Sequence, residues 1–200
     1  MPLQIVTEGI LVEKSVVPWA AFSKLVENHL HHYTQSRDIE REAARLYSLD
    51  FPEDQLRHFI RRVCTWGGYA GIGVRVLNQN PFTKIRTCFR NAVAHLEADT
   101  PDVENALREI NHIRGLGRPS FASKHLRFLK PEVCPVLDSI ISSRLRYGFT
   151  PSGYKELSDD CAKIARTLQA NRVFNPMNRH NERWFAADVE MAVFAHINKL

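Results

Sequence analysis

Apolar residues recur along most of the chain at the three- and four-residue spacing of amphipathic helices. This spacing predicts helices over about residues 18–33, 37–49, 53–64, 80–98, 102–110, 119–130, 134–147, 154–171 and 184–197. Residues 1–17 are apolar without a helical period, and they favour an extended arm or a short pair of strands. No internal repeat or low-complexity segment interrupts the pattern. The sequence therefore predicts an all-α fold.

Proline, glycine and capping residues mark several of the predicted helix ends. Residues 50–53 predict a capping box with proline in the first turn, and Asp102 is expected to cap the helix that follows it. Pro131 is expected to end one helix and Pro135 to start the next. Three neighbouring histidines close the first long helix and are expected on the surface: His29, His31 and His32.

Four glycines within residues 67–73 are expected to break a helix and to bring the backbone close to a ligand. The segment lacks both the GxxxxGK[ST] spacing and the preceding strand of a phosphate-binding loop, so a pocket wall is the better interpretation. Trp66 and Tyr69 would offer flat surfaces to a nucleobase at this wall. The alternative is that both aromatic side chains pack in the core.

Composition and charge narrow the class of protein. A length of 200 residues suits one domain, and an apolar content of 44% is typical of globular chains. The formal charge of +5 and the isoelectric point near 9.2 favour a polyanionic partner. No apolar run would span a membrane and the N-terminus lacks a signal-peptide pattern, so we expect a cytoplasmic protein. The cysteines are far apart in sequence, which indicates reduced thiols: Cys64, Cys88, Cys134 and Cys161.

A glycine hairpin between two predicted helices is the most informative segment of the chain. Gly115 and Gly117 flank Leu116, and glycine is required where the backbone adopts positive φ or approaches a partner closely. The helix that starts near Pro119 presents unpaired N–H groups to an anion. Basic side chains follow closely, which suggests a grip on a nucleic-acid phosphate: Arg118, Lys124, His125, Arg127 and Lys130.

This region resembles the helix-hairpin-helix DNA glycosylase superfamily, and in particular the bacterial group with the 8-oxoguanine-glycosylase fold, in the stretches IRGLGRPSFASKHL and CPVLDSII. The family pattern is a glycine hairpin, a helix and a proline-led aspartate, and Asp138 follows Gly117 by 21 residues. The similarity covers about residues 105–145. It implies a single domain over residues 1–200 with two helical lobes around a cleft, the hairpin at about 102–130 and the catalytic helix at about 134–147.

The resemblance also implies roles for individual residues. Asp138 would stabilise the oxocarbenium-like transition state of glycosidic-bond cleavage and activate water, although a helix cap is its alternative role. A monovalent cation, K⁺ or Na⁺, would lie at the hairpin carbonyls near Gly115 and Gly117, and no other metal or cofactor is expected. The expected DNA-binding residues are Gly115, Leu116, Gly117, Arg118, Ser120 and Lys124.

The hairpin departs from the family at the position of the catalytic lysine. Bifunctional members carry a lysine directly after the hairpin glycines, where this chain has Arg118 and Pro119, and Arg114 stands where a proline is usual. Lys124 is the nearest lysine, on the flank of an apolar helix face, and contact with phosphate or solvent is favoured over a Schiff-base role. The expected reaction is therefore monofunctional hydrolysis led by Asp138, which leaves an abasic site.

The substrate implied by the resemblance is double-stranded DNA that contains a modified base. Glucosylated hydroxymethylcytosine of phage DNA, excised in antiviral defence, and 8-oxoguanine, excised in repair, both remain open. We expect the protein to act as a monomer away from membranes. A non-catalytic helix-hairpin-helix DNA-binding protein is the alternative, and a helical protein-interaction domain with an incidental basic surface is a third.

Overall fold

A computed structural model describes residues 1–200, and helices make up most of the chain, as predicted. Short 3₁₀ turns precede the first helix and lie ahead of the last one. The α-helices are α1 (Phe22–His32), α2 (Ser36–Ser48), α3 (Glu53–Trp66), α4 (Ala70–Gln79), α5 (Phe82–Leu96), α6 (Val103–Asn111), α7 (Ser120–Leu129), α8 (Ser139–Leu145), α9 (Pro151–Ala170) and α10 (Ala186–Asn198).

Three strands precede the helices, where the sequence favoured an arm or a strand pair. They form one antiparallel sheet in chain order: β1 (Gln4–Val6), β2 (Gly9–Val12) and β3 (Ser15–Pro18). Ile10 pairs with Val17, and both side chains are buried against the helices. The Tyr147 hydroxyl accepts a hydrogen bond from the Leu3 N–H at 3.0 Å, which ties the sheet to the segment after α8.

The helix α7 lies at the centre of the molecule, and every one of its residues after Ser120 is buried. The helices α2, α3 and α6 pack against it, while α1 packs on α10 and α9 packs on both α6 and α10. A single apolar cluster of 53 buried residues extends from the sheet to α10. A polar side chain on so enclosed a helix needs a hydrogen-bond partner or an internal cavity.

The predicted capping box at the start of α3 is wrong. The helix begins at Glu53, and Pro52 is its N-cap without any side-chain cap hydrogen bond. The Asp50 carboxylate instead pairs with Arg86 and Arg90 of α5. Two guanidinium groups attract this carboxylate more strongly than one backbone N–H does, because the pairing is between full charges.

The predicted start of the helix near residue 134 is also wrong. Residues 134–138 are not helical, and α8 begins only at Ser139. The Leu137 N–H donates to the Ser123 hydroxyl of α7 at 3.0 Å, so it is not available to a helix. This extended approach leaves Asp138 as the N-cap of α8, one position before the helix.

Only the first half of the glycine-rich segment breaks a helix. Gly67 and Gly68 form the turn after α3, whereas Gly71 and Gly73 already lie inside α4.

The glycine hairpin between α6 and α7 agrees with the sequence prediction, because Gly115 has φ of 83° and Gly117 has φ of 82°.

We expect Gly117→Ala and Gly71→Ala to change stability in opposite directions. Gly117 has φ of 82°, and a left-handed backbone costs an L residue about 1 kcal/mol. Open space surrounds the Cβ position of Gly71 in α4, so alanine gains about 0.5 kcal/mol of helix propensity there. Urea denaturation of both variants and wild type measures the two effects. A Gly117→Ala protein as stable as wild type would contradict the left-handed hairpin.

None of the helices combines the length and the apolar character that a bilayer crossing requires. The thiols of all four cysteines are buried and form no disulfide. The fold therefore depends on packing without covalent cross-links.

Candidate active site

A cavity of about 290 Å³ opens where the ends of several elements meet. The end of α1, the α3–α4 turn, the first turns of α7, the segment that leads into α8 and the middle of α10 all contribute. Its walls combine aromatic rings with one amine and two carboxyl groups. The lining residues are His29, Tyr33, Trp66, Gly67, Gly68, Tyr69, Ser120, Phe121, Lys124, Val136, Asp138, Ser139, Ile140, Glu190 and Phe194.

Aromatic rings from α1, α3 and α10 form the inner wall. The Tyr33 ring lies 5.3 Å from the Trp66 ring and 6.1 Å from the Phe194 ring, measured between centroids. The indole N–H of Trp66 donates to the Ser36 hydroxyl at 3.0 Å, which fixes the orientation of the ring. Flat rings held in this way form a wall against which a planar heterocycle can stack.

The structure places His29 in the core, and its predicted surface position is wrong. The side chain is 3% exposed and stacks on Tyr33 with ring centroids 4.7 Å apart. Burial, together with the positive charge of Arg127, lowers the pKa of His29 to about 3, so its imidazole is neutral. The sequence did not distinguish His29 from the two neighbouring histidines. In the structure α1 turns His29 towards α10, while His31 and His32 face outward.

Lys124 lies inside the cavity, and its interpretation as a solvent-facing flank residue is wrong. Only 8% of the residue is exposed, since α7 is enclosed on every side. The ammonium group donates to the Ser120 hydroxyl at 3.0 Å and lies 4.8 Å from the centre of the Phe121 ring. Burial lowers the pKa of Lys124, and the carboxyl groups of Asp138 and Glu190 oppose that shift.

Gly67 is the residue that lets the α3–α4 turn approach Lys124. A Cβ atom at Gly67 would lie 2.8 Å from Phe121 Cε1 and 3.0 Å from Lys124 Cδ. Both distances are shorter than ordinary van der Waals contact. Glycine is therefore required at position 67, because α7, which carries Lys124, packs directly against this turn.

Asp138 caps α8 and also lines the cavity. Its Oδ1 accepts a hydrogen bond from the Ile141 N–H at 2.9 Å. A carboxylate has two oxygens and about four acceptor positions, so one hydrogen bond leaves room for a second contact. The two roles that the sequence left open for Asp138 are thus compatible in one conformation.

Glu190 is the cavity carboxyl group that the sequence analysis missed. It is 3% exposed in the middle of α10, and its hydrogen bond comes from the Val136 backbone rather than from a side chain. Burial raises the pKa of Glu190 to about 8, the charge of Asp138 adds to the rise, and the charge of Arg127 opposes it. An acid between Val189 and Met191 in the mostly apolar run of residues 186–197 was the available signal, because buried acids concentrate at functional sites.

The hairpin carbonyls do not fit the monovalent cation that the resemblance implied. The Gly115 carbonyl accepts hydrogen bonds from Arg75 Nε at 3.1 Å and Arg75 Nη2 at 2.9 Å. The Gly117 carbonyl accepts the Phe121 N–H at 3.0 Å. A guanidinium group already brings a positive charge to this turn, and a second cation would be repelled by it. No group of three or more His, Cys, Asp or Glu side chains lies close enough to hold a metal ion elsewhere.

Four of the six predicted DNA-binding residues divide into two groups. Gly117 and Arg118 are exposed at the tip of the hairpin, whereas Ser120 and Lys124 line the cavity below it. The Leu116 side chain is 1% exposed and belongs to the apolar core, which leaves only its backbone for the predicted contact with DNA. A leucine between two left-handed glycines anchors the turn by packing inward.

Comparison of the chain with family models, with curated proteins and with solved structures found no match. The resemblance to helix-hairpin-helix glycosylases therefore depends on the hairpin motif, and any assignment of function depends on the geometry of the cavity.

Proposed function

We propose that the protein is a DNA glycosylase that removes a modified base from duplex DNA. The observation that carries this proposal is the meeting of Lys124 and Asp138 in one aromatic-walled cavity directly behind the glycine hairpin. A carboxylate and flat apolar walls suit the excision of an extruded base, and the amine adds a nucleophile for a bifunctional reaction. A filled interior at Asp138 would instead have favoured a helix cap with no further role.

In this proposal the hairpin binds the DNA backbone and the cavity binds the extruded base. Gly117 and Arg118 are exposed at the hairpin tip, where backbone N–H groups and a guanidinium favour a phosphate. A nucleotide held there would extrude its base towards Trp66 and Tyr33, whose rings would replace part of the lost stacking. The net charge of +5 assists the approach to DNA.

Asp138 is the group that stabilises the sugar as the glycosidic bond breaks. Positive charge develops on the deoxyribose, and a carboxylate about 4 Å away interacts with it by roughly 4 kcal/mol at an effective dielectric constant of about 20. That energy corresponds to nearly three decades in rate. The remaining acceptor positions of Asp138, beyond the cap to Ile141, are available for this contact.

Lys124 changes the expected reaction from monofunctional hydrolysis to a bifunctional one. The monofunctional expectation depended on a lysine that faces phosphate or solvent, and this lysine is buried beside Asp138. Burial lowers the pKa of Lys124, which increases the fraction of neutral, nucleophilic amine. We therefore propose attack of the Lys124 amine on C1′, followed by a Schiff base that permits strand cleavage.

The cavity volume bears on which base is excised. About 290 Å³ is at the small end of the range for ligand pockets, and it suits a single base such as 8-oxoguanine. The sugar of a glucosylated hydroxymethylcytosine would have to project past Gly68 and Tyr69, both of which are exposed at the cavity mouth. The volume favours the smaller base, and the assay below includes both.

Base release from defined DNA tests the proposal. The substrates are duplexes that contain 8-oxoguanine or uracil and phage genomic DNA with glucosylated hydroxymethylcytosine, each with and without alkali. Release from at least one substrate is expected. Salt-sensitive DNA binding without release from any of them would favour the non-catalytic DNA-binding alternative, because phosphate contacts alone produce that salt dependence.

Lys124→Met is expected to abolish the covalent adduct that borohydride traps between wild type and the reactive DNA. Methionine has a similar length and no amine, so the helix packing is retained while the nucleophile is lost. Lys155→Met on the exposed face of α9 is the matched control and should retain the adduct. Base release without any trapped adduct in wild type would return the assignment to monofunctional hydrolysis.

A further inference from the structure

We propose that Glu190 is a third catalytic residue beside Lys124 and Asp138, and that it donates a proton to the departing base. This inference rests on the proposed glycosylase activity and adds a role that the hairpin motif does not contain. Glu190 lies on α10 and Asp138 lies ahead of α8, so the two carboxyl groups enter one cavity from different elements.

The two carboxyl groups have contrasting surroundings. Asp138 accepts the Ile141 N–H at 2.9 Å, a contact that suits an ionised carboxylate. Glu190 is more deeply buried, at 3% exposure beside Val189 and Met191 of α10, and the Val136 backbone rather than a side chain hydrogen-bonds to it. Paired carboxyl groups in such unlike environments commonly divide into one that stays charged and one that carries a proton.

Charged and titratable groups face Glu190 from every element packed around it. They are His29 and Tyr33 at α1, Lys124 and Arg127 on α7, Asp138 ahead of α8, and Tyr154 and Cys161 on α9. Desolvation outweighs the positive charges among them and raises the pKa of Glu190 to about 8. At neutral pH the group therefore holds the proton that a leaving base needs.

The proposed step balances protons and charge. The Lys124 ammonium group first loses a proton to solvent. The resulting amine forms a bond to C1′ while the bond from C1′ to the base nitrogen breaks, and the electron pair of the broken bond moves to that nitrogen. The base takes the Glu190 proton and leaves as a neutral molecule. Glu190 becomes a carboxylate, the new C1′–N group carries the positive charge, and Asp138 takes no part in the proton transfer. Solvent restores the proton on Glu190 after the base has left.

The experiment compares wild type, Glu190→Gln and Glu156→Gln. Glutamine is neutral and has the shape of the protonated acid, so the buried site is expected to fold normally. Glu156 is exposed on α9 and makes the same substitution away from the cavity. Single-turnover base release from the 8-oxoguanine duplex, the uracil duplex and the phage DNA is measured between about pH 5 and pH 9, with melting temperature as a second readout.

We expect Glu190→Gln to slow base release by about 10²-fold or more at neutral pH, while Glu156→Gln matches wild type. The wild-type rate should fall as the pH rises through about 8, and the Glu190→Gln rate should lack this decline. The pKa of Glu190 in the folded protein, about 8, lies above its ordinary value of 4.5. The contribution of protonated Glu190 to the free energy of unfolding is therefore complete below about pH 4.5 and is lost as the pH rises to about 8. The melting temperature of wild type should therefore decrease more between about pH 5 and pH 8 than that of Glu190→Gln, because glutamine does not titrate.

The outcomes separate this inference from the proposed function. Wild-type release that Glu190→Gln leaves unchanged would overturn the role of Glu190 and retain the glycosylase. A slower variant with the same alkaline decline as wild type would also overturn it, because the group that titrates would then be another one. No release by wild type from any substrate would overturn both proposals together.

Discussion

Replacement of Asp138 by asparagine is expected to lower base release about 10³-fold while the protein remains folded. The estimate follows from the loss of roughly 4 kcal/mol of charge stabilisation at the developing sugar cation. Asparagine is itself a good helix N-cap, so the hydrogen bond from the Ile141 N–H to position 138 is expected to persist. The substitution therefore removes the charge and retains the cap. Single-turnover base release and thermal unfolding measure the two properties separately.

Asp102→Asn is the matched control for this experiment. Asp102 caps α6 by accepting the Asn105 N–H at 3.0 Å, and it does not line the cavity. The same change at this second cap should leave base release at the wild-type rate. Full activity in Asp138→Asn would assign Asp138 to capping alone and would remove the central residue of the proposed mechanism.

Replacement of Arg127 by methionine is expected to reduce the free energy of unfolding by about 3–5 kcal/mol. The Arg127 side chain is fully buried, and its Nη1 lies 3.6 Å from Glu40 Oε2. Arg179 pairs with the same glutamate and, at 2.7 Å, with Asp188. Two arginines balance two carboxylates in this cluster. Removal of Arg127 leaves a net negative charge away from water, which is costly although methionine fills most of the space.

Urea denaturation of Arg127→Met measures the loss, and Arg41→Met is the matched control. The Arg41 side chain is 76% exposed and pairs only with Asp38, so its replacement should change stability by less than about 0.5 kcal/mol. Equal stability of Arg127→Met and wild type would mean that Arg127 contributes nothing net to the stability of the fold.

The cluster also supports the cavity from behind. The Arg127 guanidinium carbon lies 4.4 Å from the centre of the Phe128 ring and 5.8 Å from that of Trp66, which forms part of the aromatic wall. Its charge lowers the pKa of His29 and partly opposes the rise at Glu190. A buried arginine thus links the stability of the fold to the protonation of the proposed site.

Local chemistry explains the features that the sequence predicted correctly. Gly115 and Gly117 adopt positive φ, and Asp102 caps α6, because a few neighbouring residues determine backbone conformation at a turn or a cap. Helical periodicity identified most of the helices for the same reason. The pairing of Gly67–Gly68 with Trp66 at a pocket wall also follows from a local break between two helices.

Long-range packing explains the features that the sequence missed. Asp50 binds Arg86 and Arg90 of α5 in place of its own helix start, since the arginines arrive from more than thirty residues away. His29 was expected outside and lies inside, because α10 covers that side of α1. No local pattern reveals which charged groups a distant helix will bring.

The sequence by itself determined a mostly helical chain with a glycine hairpin, a lysine and an aspartate in a suggestive order. Only the tertiary structure decided that Lys124 lies in a cavity and that Glu190 shares that cavity with Asp138. The physical reason is enclosure. With neighbours on every side of α7, a position that periodicity assigns to a flank becomes interior, and burial alters the proton affinity of whatever side chain lies there.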